Sequence, residues 1–153
     1  MVISNLISNG SIKKGILLVG DTILKTCSRE DKSTYPLFGD AGSATGMEFD
    51  DLSEGLKFHM ESVDFFVFHQ ANLFMNEKIR KKLKIPKEKV PYTLNDFGNT
   101  SSASIPLTIV NELGNKLKKG NYSIIACGFG VGLSWGSVWF QTTDLVCSEL
   151  IEI

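Results

Sequence analysis

Three stretches of the sequence combine residue types that can do chemistry. In VFHQAN, residues 67–72, an apolar run ends at His69. In GNTSSAS, residues 98–104, Asn99 offers two amide donors and one acceptor oxygen. In GFGVG, residues 128–132, the glycines let backbone N–H groups approach a ligand closely. A histidine, an amide and a glycine turn together provide hydrogen-bond donors for a developing negative charge, and the histidine can also act as an acid or a base.

Each of these stretches also has a purely structural interpretation. His69 could be a satisfied polar residue at a strand–helix junction. The hydroxyls of residues 98–104 could do no more than cap a helix that begins near Pro106. Residues 128–132 could form a hairpin turn with a bulge, and they do not resemble a phosphate loop because the sequence after them is typical of a strand.

Apolar runs predict the strands that would position these residues. Residues 15–20 predict a strand that is buried on both faces, and residues 63–68 predict a second buried strand that ends at His69. Residues 122–140 predict a strand, a glycine-rich turn and a second strand. With the intervening helices, the pattern predicts an α/β fold with a mainly parallel sheet and an antiparallel edge hairpin. His69 would then lie at the carboxyl end of a strand, where ligands of open α/β sheets bind.

Two helices are expected between these strands. Met75, Ile79 and Leu83 form an apolar stripe at helical spacing within residues 72–83. A second helix is expected over residues 106–117, with a proline in its first turn.

Composition and charge exclude several classes of protein. The 153 residues are 42% apolar and 22% charged, as in a globular protein, and the net charge of −1 argues against a general nucleic-acid binder. Cys27, Cys127 and Cys147 are far apart, so neither a disulfide framework nor a zinc site is indicated. No apolar run approaches the length of a membrane span. These features predict a reduced, cytoplasmic protein.

Residues 78–89, KIRKKLKIPKEK, concentrate positive charge. Lys78, Lys81 and Lys82 are expected on a helix face away from the apolar stripe. Such a run is usually a solvated face, but it could also dock an acidic partner or a phosphate.

The three motifs together resemble one protein family. VFHQAN, GNTSSASIP and GFGVGLSWGSVWF, in this order and at these intervals, closely resemble the C-terminal half of β-ketoacyl-acyl-carrier-protein synthase III. The earlier GILLVGDTIL and LFGDAGSA resemble the segment that follows the nucleophile helix of those enzymes. The resemblance covers most of the chain and is most specific over residues 63–140, where three motifs agree.

This resemblance implies a thiolase-like fold, which is built from two similar α/β halves around stacked sheets. Residues 1–49 would be the end of the N-terminal half, residues 50–62 a shortened junction, and residues 63–153 the C-terminal catalytic half. The fold would be incomplete relative to the two-half core of the family.

The resemblance also implies a reaction. Such enzymes condense an acyl-CoA with malonyl-acyl-carrier protein in fatty-acid biosynthesis, without a cofactor or a metal. A cysteine is acylated, malonyl loses carbon dioxide, and the resulting carbanion attacks the acyl thioester. By resemblance, His69 and Asn99 assist the decarboxylation. The backbone N–H of Val131 would serve a second oxyanion site, although the family typically has glycine there.

The implied partners are coenzyme A thioesters, acyl-carrier protein and a second copy of the chain, since the family enzymes are homodimers. Lys81 and Lys82 match basic positions of the carrier-protein docking surface, and Lys78 lies on the same face. Phe74 stands where some members have arginine.

The chain departs from the family in two places. The family's nucleophilic cysteine lies upstream of the matching region, and none of Cys27, Cys127 and Cys147 fits that role. Between Met47 and Val63 there are fifteen residues, where family members have a much longer segment. The sequence therefore predicts a chain that cannot condense by itself.

Two other interpretations stay open. The chain could be a truncated, non-catalytic relative that binds a carrier protein or a partner chain. It could also belong to a specialised polyketide or glycolipid pathway with a different substrate.

Overall fold

Strands and helices alternate along the chain as the sequence predicts for an α/β protein. The computed structural model describes residues 10–11, 14–33, 35–48, 60–130 and 134–151. In this part of the chain the strands are β1 (Lys14–Asp21), β2 (Ala41–Glu48), β3 (Phe65–Phe68), β4 (Tyr122–Gly130) and β5 (Ser134–Thr142). The α-helical segments are α1 (Leu73–Lys82), α2 (Leu94–Phe97), α3 (Ser104–Thr108) and α4 (Gly114–Leu117), with a π-helical turn at Ile109–Leu113. Short 3-10 helices lie at Ile23–Lys25, Tyr35–Leu37, Met60–Ser62, Lys87–Lys89 and Ser101–Ala103.

The described strands form two sheets. β1 and β2 make an antiparallel hairpin. The second sheet has the order β3-β4-β5, in which β3 runs parallel to β4 and β4 runs antiparallel to β5. The expected edge hairpin is thus present as β4 and β5. Among the described strands, parallel pairing is confined to β3 and β4.

Strand β3 is buried on both faces, as its apolar run predicts. Successive side chains of a strand point to opposite faces, so Phe65 and Val67 pack on one side of the sheet while Phe66 and Phe68 pack on the other. Each such side chain stabilises the fold by about 1.5–3 kcal/mol relative to exposure. The first side also contains Leu113, Leu117 and Ile124, and the second also contains Val63, Ile85 and Val90.

The prediction that the first strand is buried on both faces is wrong. Side chains of β1 alternate between exposed and half-buried, with Ile16 69% and Leu18 73% exposed. An apolar run does not reveal how many faces of a strand are covered, and among the described residues one face of the β1–β2 hairpin has no covering layer. Its other face, with Leu17 and Val19, lines a cavity of about 390 Å³ beside α3.

Helix α1 begins and ends close to the predicted bounds. The Asn72 side chain caps it by accepting a hydrogen bond from the Met75 N–H at 2.8 Å. The predicted apolar stripe is wrong at its end: Leu83 follows the last helical residue and is 52% exposed. The fully buried side chain of this helix is Asn76.

Both partners of an ion pair within α1 also hydrogen-bond the segment that follows the helix. Arg80 donates to both carboxylate oxygens of Glu77 at 2.8 Å and to the carbonyl of Ile85 at 2.8 Å. The Tyr92 hydroxyl donates to Glu77 at 2.9 Å. Hydrogen bonds from Arg80 and then Tyr92 lower the pKa of Glu77 to about 2, so this carboxylate stays charged throughout the physiological range.

The helix predicted over residues 106–117 begins earlier, at Ser104, and is interrupted by the π-helical turn. The C-terminal segment packs against its end, where the Leu145 N–H donates to the Leu117 carbonyl at 2.9 Å. A Cβ at Gly114 would lie 3.0 Å from the Cys147 sulfur, so the missing side chain permits this approach. In the described part of the chain, no helix has the length and apolar character needed to span a membrane.

Candidate active site

His69 follows directly on strand β3 and is fixed by its backbone. Its N–H donates to the Cys127 carbonyl at 2.8 Å, which extends the β3–β4 pairing by one residue. Its carbonyl accepts from the Asn76 side chain at 3.1 Å. The imidazole packs edge-on against Phe129, with 5.4 Å between ring centroids. The strand end, a buried amide and an aromatic ring therefore hold the backbone and one side of the imidazole.

The imidazole also contacts the start of α3. Its Nδ1 lies 2.7 Å from the Ser104 hydroxyl oxygen. Burial lowers the pKa of His69, while a hydrogen bond to the backbone of Ser101 acts in the opposite direction and raises it. The pKa falls below 6.5 on balance, so the ring is predominantly neutral at pH 7.

Asn99 lies in a segment whose backbone needs unusual conformations. Gly98 has φ +64° and Ser101 has φ +51°. The first is accessible to glycine without a steric penalty, whereas the second is strained for a residue with a side chain. The Asn99 Oδ1 accepts from the Ser101 N–H at 2.9 Å and so supports that turn. Within the described part of the chain, no hydrogen bond uses the Asn99 side-chain NH₂, which stays free as a donor.

A loop between β1 and β2 makes two hydrogen bonds with the backbone of Asn99, one to its N–H and one to its carbonyl. The Asn99 N–H donates to the Leu37 carbonyl at 2.7 Å, and the Gly39 N–H donates to the Asn99 carbonyl at 3.0 Å. Phe38 and Asn99 thereby form a parallel bridge. A Cβ at Gly39 would overlap the carbonyl oxygen of Phe97. Only glycine fits at this approach.

A carboxylate at the end of β1 supports the same segment. Asp21 accepts from the Ser102 hydroxyl at 2.7 Å and from the Ser102 N–H at 3.3 Å. The hydrogen bond from the Ser102 side chain is the main cause of the lowered pKa of Asp21. The β1–β2 hairpin therefore contacts the Asn99 segment at two points.

The His69 ring thus contacts the segment of residues 99–104 to which Asn99 belongs. Asn99 hydrogen-bonds Ser101 within this segment, and the His69 ring hydrogen-bonds Ser104 at its end. A neutral imidazole and a free carboxamide are two uncharged donors. Such a pair can stabilise negative charge that develops on a carbonyl oxygen.

The structure places the other predicted site residues as follows. Val131 lies outside the described residues, between the end of β4 and the start of β5, so its oxyanion role stays a prediction. Lys78, Lys81 and Lys82 are exposed on α1. Phe74 is 74% exposed, and the Lys78 ammonium lies 5.3 Å from the centre of its ring.

Three residues that position the site were missed by sequence reasoning. The sequence predicts for Ser104 only a place among the hydroxyls that cap a helix, and no motif singles out Asn76 or Asp21. The Ser104–His69 contact joins residues far apart in the chain, so no local pattern reveals it. The place of Asp21 at the end of a predicted strand is a signal that could have indicated a role.

All three cysteines are partly buried. Cys127 packs with the core cluster that contains Phe66 and Phe68, as expected of a cysteine that acts as a small apolar residue. Cys147 packs against Gly114. Among the described residues, no group of three or more His, Cys, Asp or Glu side chains could hold a metal ion.

The lowered pKa of His69 has a consequence for stability. The unfolded chain, with an ordinary histidine pKa near 6.5, binds a proton before the folded chain does. We therefore expect this contribution to stability to be complete above pH 6.5 and to decline as the pH falls towards the folded-state pKa. Imidazole NMR titration should give a midpoint below 6.5, and urea unfolding of His69→Gln should lack the corresponding pH dependence. A midpoint at or above 6.5 contradicts the prediction.

We also expect Gly39→Ala to disturb the hydrogen bonds between this loop and the backbone of Asn99. The new Cβ would collide with the Phe97 carbonyl, and such overpacking costs about 1–3 kcal/mol of unfolding free energy. Urea unfolding measures the loss, and the amide resonance of Asn99 reports the local change. Gly42→Ala is the matched control, since its Cβ would have only an ordinary contact, 3.7 Å from the Val19 carbonyl. Equal effects of the two substitutions would contradict the prediction.

Comparisons with known proteins identify the family. Residues 54–142 match the family model "3-Oxoacyl-[acyl-carrier-protein (ACP)] synthase III C terminal". The beta-ketoacyl-[acyl-carrier-protein] synthase III of Staphylococcus aureus strain JH1 is 38% identical over 133 residues, which are 86% of this chain and 40% of the relative. A Bacillus cereus synthase III is 49% identical over 78 residues, which are 51% of this chain and 25% of the relative. The chain therefore spans well under half of these relatives.

Solved structures show the same relationship in the fold. The crystal structure of 3-oxoacyl-(acyl-carrier protein) synthase from Burkholderia xenovorans LB400 superimposes with a TM-score of 0.88 at 31% identity, over 99% of this chain and 62% of that one. The synthase III from Pseudomonas aeruginosa PAO1 gives a TM-score of 0.82 at 24% identity over 95% of this chain, a likeness of fold. The predicted thiolase-like α/β fold is confirmed as a partial one. Since the family model covers more than half of the chain, the chain belongs to the 3-oxoacyl-[acyl-carrier-protein] synthase III family, of which it matches the C-terminal part.

Proposed function

We propose that this chain is the C-terminal part of a 3-oxoacyl-acyl-carrier-protein synthase III, and that His69 and Asn99 promote decarboxylation of a malonyl thioester. The observation that carries the proposal is the 2.7 Å contact between the His69 ring and Ser104, at the end of the segment that begins with Asn99. The family membership supports the reaction class, and the uncharged state of both groups supports the chemical role.

The reaction explains why uncharged donors are suited to this site. When the malonyl carboxylate leaves as carbon dioxide, the electron pair of the broken carbon–carbon bond moves into the thioester, and its carbonyl oxygen becomes an enolate. The His69 imidazole and the free Asn99 carboxamide would both donate to that oxygen. A cationic group would also attract the leaving carboxylate and stabilise the substrate before reaction, which lowers no barrier.

In the complete reaction the carbanion attacks an acyl group held on a cysteine. That acyl group would come from acyl-CoA, and the backbone N–H of Val131 would stabilise the second oxyanion. We infer that none of Cys27, Cys127 and Cys147 is the nucleophile. The core packing of Cys127 supports this, because a thiolate needs a helix N-terminus or a nearby cation. Without the nucleophile, the enolate formed here would be protonated at carbon to give an acetyl thioester.

We expect the chain to decarboxylate malonyl-acyl-carrier protein weakly without condensing it. Removing one oxyanion donor typically costs a factor of roughly 10²–10³ in rate, so His69→Ala and Asn99→Ala should each lower carbon dioxide release by about that factor. Release of labelled carbon dioxide measures the rate. Asn111→Ala is a control for Asn99→Ala, because Asn111 is exposed and its side chain hydrogen-bonds only its neighbour Glu112 in the described structure.

Two results would count against these roles. Release that is unchanged in His69→Ala would remove His69 from the mechanism. If carbon dioxide release falls as much in Asn111→Ala as in Asn99→Ala, the assay reports on folding and not on the site. Circular dichroism and amide spectra of each variant separate loss of structure from loss of chemistry.

We further propose that Lys78, Lys81 and Lys82 bind acyl-carrier protein, an acidic partner. Two of the other four basic groups of residues 78–89 are engaged in the fold. Arg80 is paired with Glu77, and Lys89 donates to the Val63 carbonyl at 2.6 Å. The three exposed lysines of α1, and the exposed Lys84 and Lys87 that follow the helix, are available to present positive charge to a partner.

This docking proposal also defines the second candidate function, a binding module without catalysis. The exposed lysines of α1 support that alternative, because binding an acidic partner through them needs no nucleophile. If it is correct, carrier-protein binding persists while decarboxylation is absent from the wild-type chain. Because exposed charge pairs are screened by salt, binding through these lysines should weaken as salt is raised.

Charge reversal tests the docking surface. We expect Lys78→Glu/Lys81→Glu/Lys82→Glu to weaken carrier-protein binding at least tenfold, measured by calorimetry at low salt. The matched control reverses three exposed lysines elsewhere, at Lys32, Lys118 and Lys119, with the same change in net charge. Equal weakening by both triple variants would show that only the overall charge matters and would contradict a defined docking surface.

The remaining family properties are also proposals for this chain. We propose a cytoplasmic protein that forms a homo-oligomer. The exposed apolar face of β1, with Ile16 and Leu18, supports self-association.

A further inference from the structure

Ser101 contacts both residues of the candidate site. Its N–H donates to the Asn99 Oδ1 at 2.9 Å. Burial lowers the pKa of His69, and a hydrogen bond between the ring and the Ser101 backbone opposes that shift. Ser101 has φ +51°, which is strained for a residue with a side chain and persists only where surrounding groups hold it. The placement of His69 relative to Asn99 therefore depends on what holds Ser101.

The Asp21 carboxylate, at the end of β1, holds this turn from a remote part of the chain. One of its oxygens accepts from the Ser102 hydroxyl at 2.7 Å and from the Ser102 N–H at 3.3 Å. Hydrogen bonds from the side chains of Ser102 and then of Ser101 lower the pKa of Asp21, so the carboxylate is ionised at neutral pH. Hydrogen bonds to an ionised acceptor are stronger than those between neutral groups.

The orientation of the Asn99 amide depends on the same turn. The Ser101 N–H holds the amide oxygen, which leaves the NH₂ group as the end that can donate to a ligand. If residues 101 and 102 relaxed to an unstrained conformation, the Ser101 N–H would turn away from Asn99. The amide could then rotate, because the last torsion of an asparagine side chain has only broad preferences. The backbone of Ser101 would leave the His69 ring in the same movement.

We propose that Asp21 is a positioning residue, which acts through Ser101 and Ser102 to orient the Asn99 amide and to keep the His69 ring in place beside it. The value of this orientation for chemistry rests on the proposed decarboxylation. The orientation itself does not, so the two can be tested separately.

Hydrogen exchange and NMR of the intact chain test the orientation. The Ser101 N–H is bonded to Asn99, so its protection reports on the Asn99 amide. We expect Asp21→Ala to make exchange of this N–H roughly tenfold faster, which corresponds to the loss of one ordinary hydrogen bond. The side-chain NH₂ resonances of Asn99 and the ring resonances of His69 should shift with it. Exchange and resonances that match the wild type would overturn the proposal.

Two further variants separate geometry from charge and from general stability. Asp21→Asn removes the charge but keeps an oxygen that can accept from Ser102, so it should retain most of the protection at Ser101. Asp31 accepts in the same way from the N–H and the hydroxyl of Ser33, so Asp31→Ala is the matched control and should change nothing at Ser101. If Asp21→Asn is as perturbed as Asp21→Ala, or if Asp31→Ala has an equal effect, the positioning role is contradicted.

Ser102→Ala tests the path of the effect. It removes the hydroxyl that donates to Asp21, while the Ser102 N–H can still donate, so exchange at Ser101 should rise less than in Asp21→Ala. The double variant Asp21→Ala/Ser102→Ala should resemble Asp21→Ala alone, because the two groups act through one contact. Effects that add in the double variant would overturn the path through Ser102.

Decarboxylation by the same variants separates this inference from the proposed function. A displacement of about 1 Å can cost a factor of about 10² in rate, so we expect Asp21→Ala to lower kcat at least tenfold. KM should change little, because the amide acts mainly in the transition state. A wild-type chain that fails to decarboxylate would reject the proposed function, and hydrogen exchange would still decide the positioning. An active wild type with an unchanged kcat in Asp21→Ala would overturn the role of Asp21 in the reaction.

Discussion

The site depends on a backbone segment that is strained and must be held from outside. Ser101 has a positive φ, which costs about 1–3 kcal/mol for a residue with a side chain. Asn99 stabilises this turn from within, and the loop at Leu37 and Gly39 holds the Asn99 backbone from the other side. The geometry of the candidate site is therefore not a local property of GNTSSAS. It exists because the β1–β2 hairpin, which is remote in sequence, lies against the segment.

The position of His69, the other residue of the candidate site, depends on the hydrophobic core around β3. His69 takes its place from the pairing of β3 with β4, and β3 is fixed because its four residues are buried on two faces. A slip by one residue would also break two hydrogen bonds at the start of the strand, where the Asp64 N–H donates to the Ser123 carbonyl at 2.8 Å and the Ser123 N–H donates to the Asp64 carboxylate at 2.8 Å. Register at the core thus sets the position of the imidazole. A buried hydrogen bond from the Gln70 N–H to the Ser104 hydroxyl, at 3.3 Å, joins that position to the strained segment.

These two kinds of support explain what the sequence could and could not predict. His69 at a strand end, the edge hairpin and the two helices follow from local apolar patterns, and each was predicted close to its observed place. The bridge between Phe38 and Asn99 and the Ser104–His69 contact join distant parts of the chain. No periodicity encodes them, and only the resemblance of three motifs indicated that His69 and Asn99 belong together. The burial of β1 was predicted wrongly because an apolar run does not reveal whether a covering layer exists.

The uncovered face of β1 bears on how the site is maintained. The β1–β2 hairpin, which hydrogen-bonds the Asn99 segment, also exposes Ile16 and Leu18. In the described structure this hairpin is therefore packed on one face only. Its inner face meets α3 across an apolar cavity, where packing contributes less than a filled core does. Anything that covers the outer face, whether a second copy or another chain, would stabilise the hairpin and, through Gly39 and Asp21, the Asn99 segment. The chemistry proposed for His69 and Asn99 would thereby depend on the packing of a surface that neither residue touches.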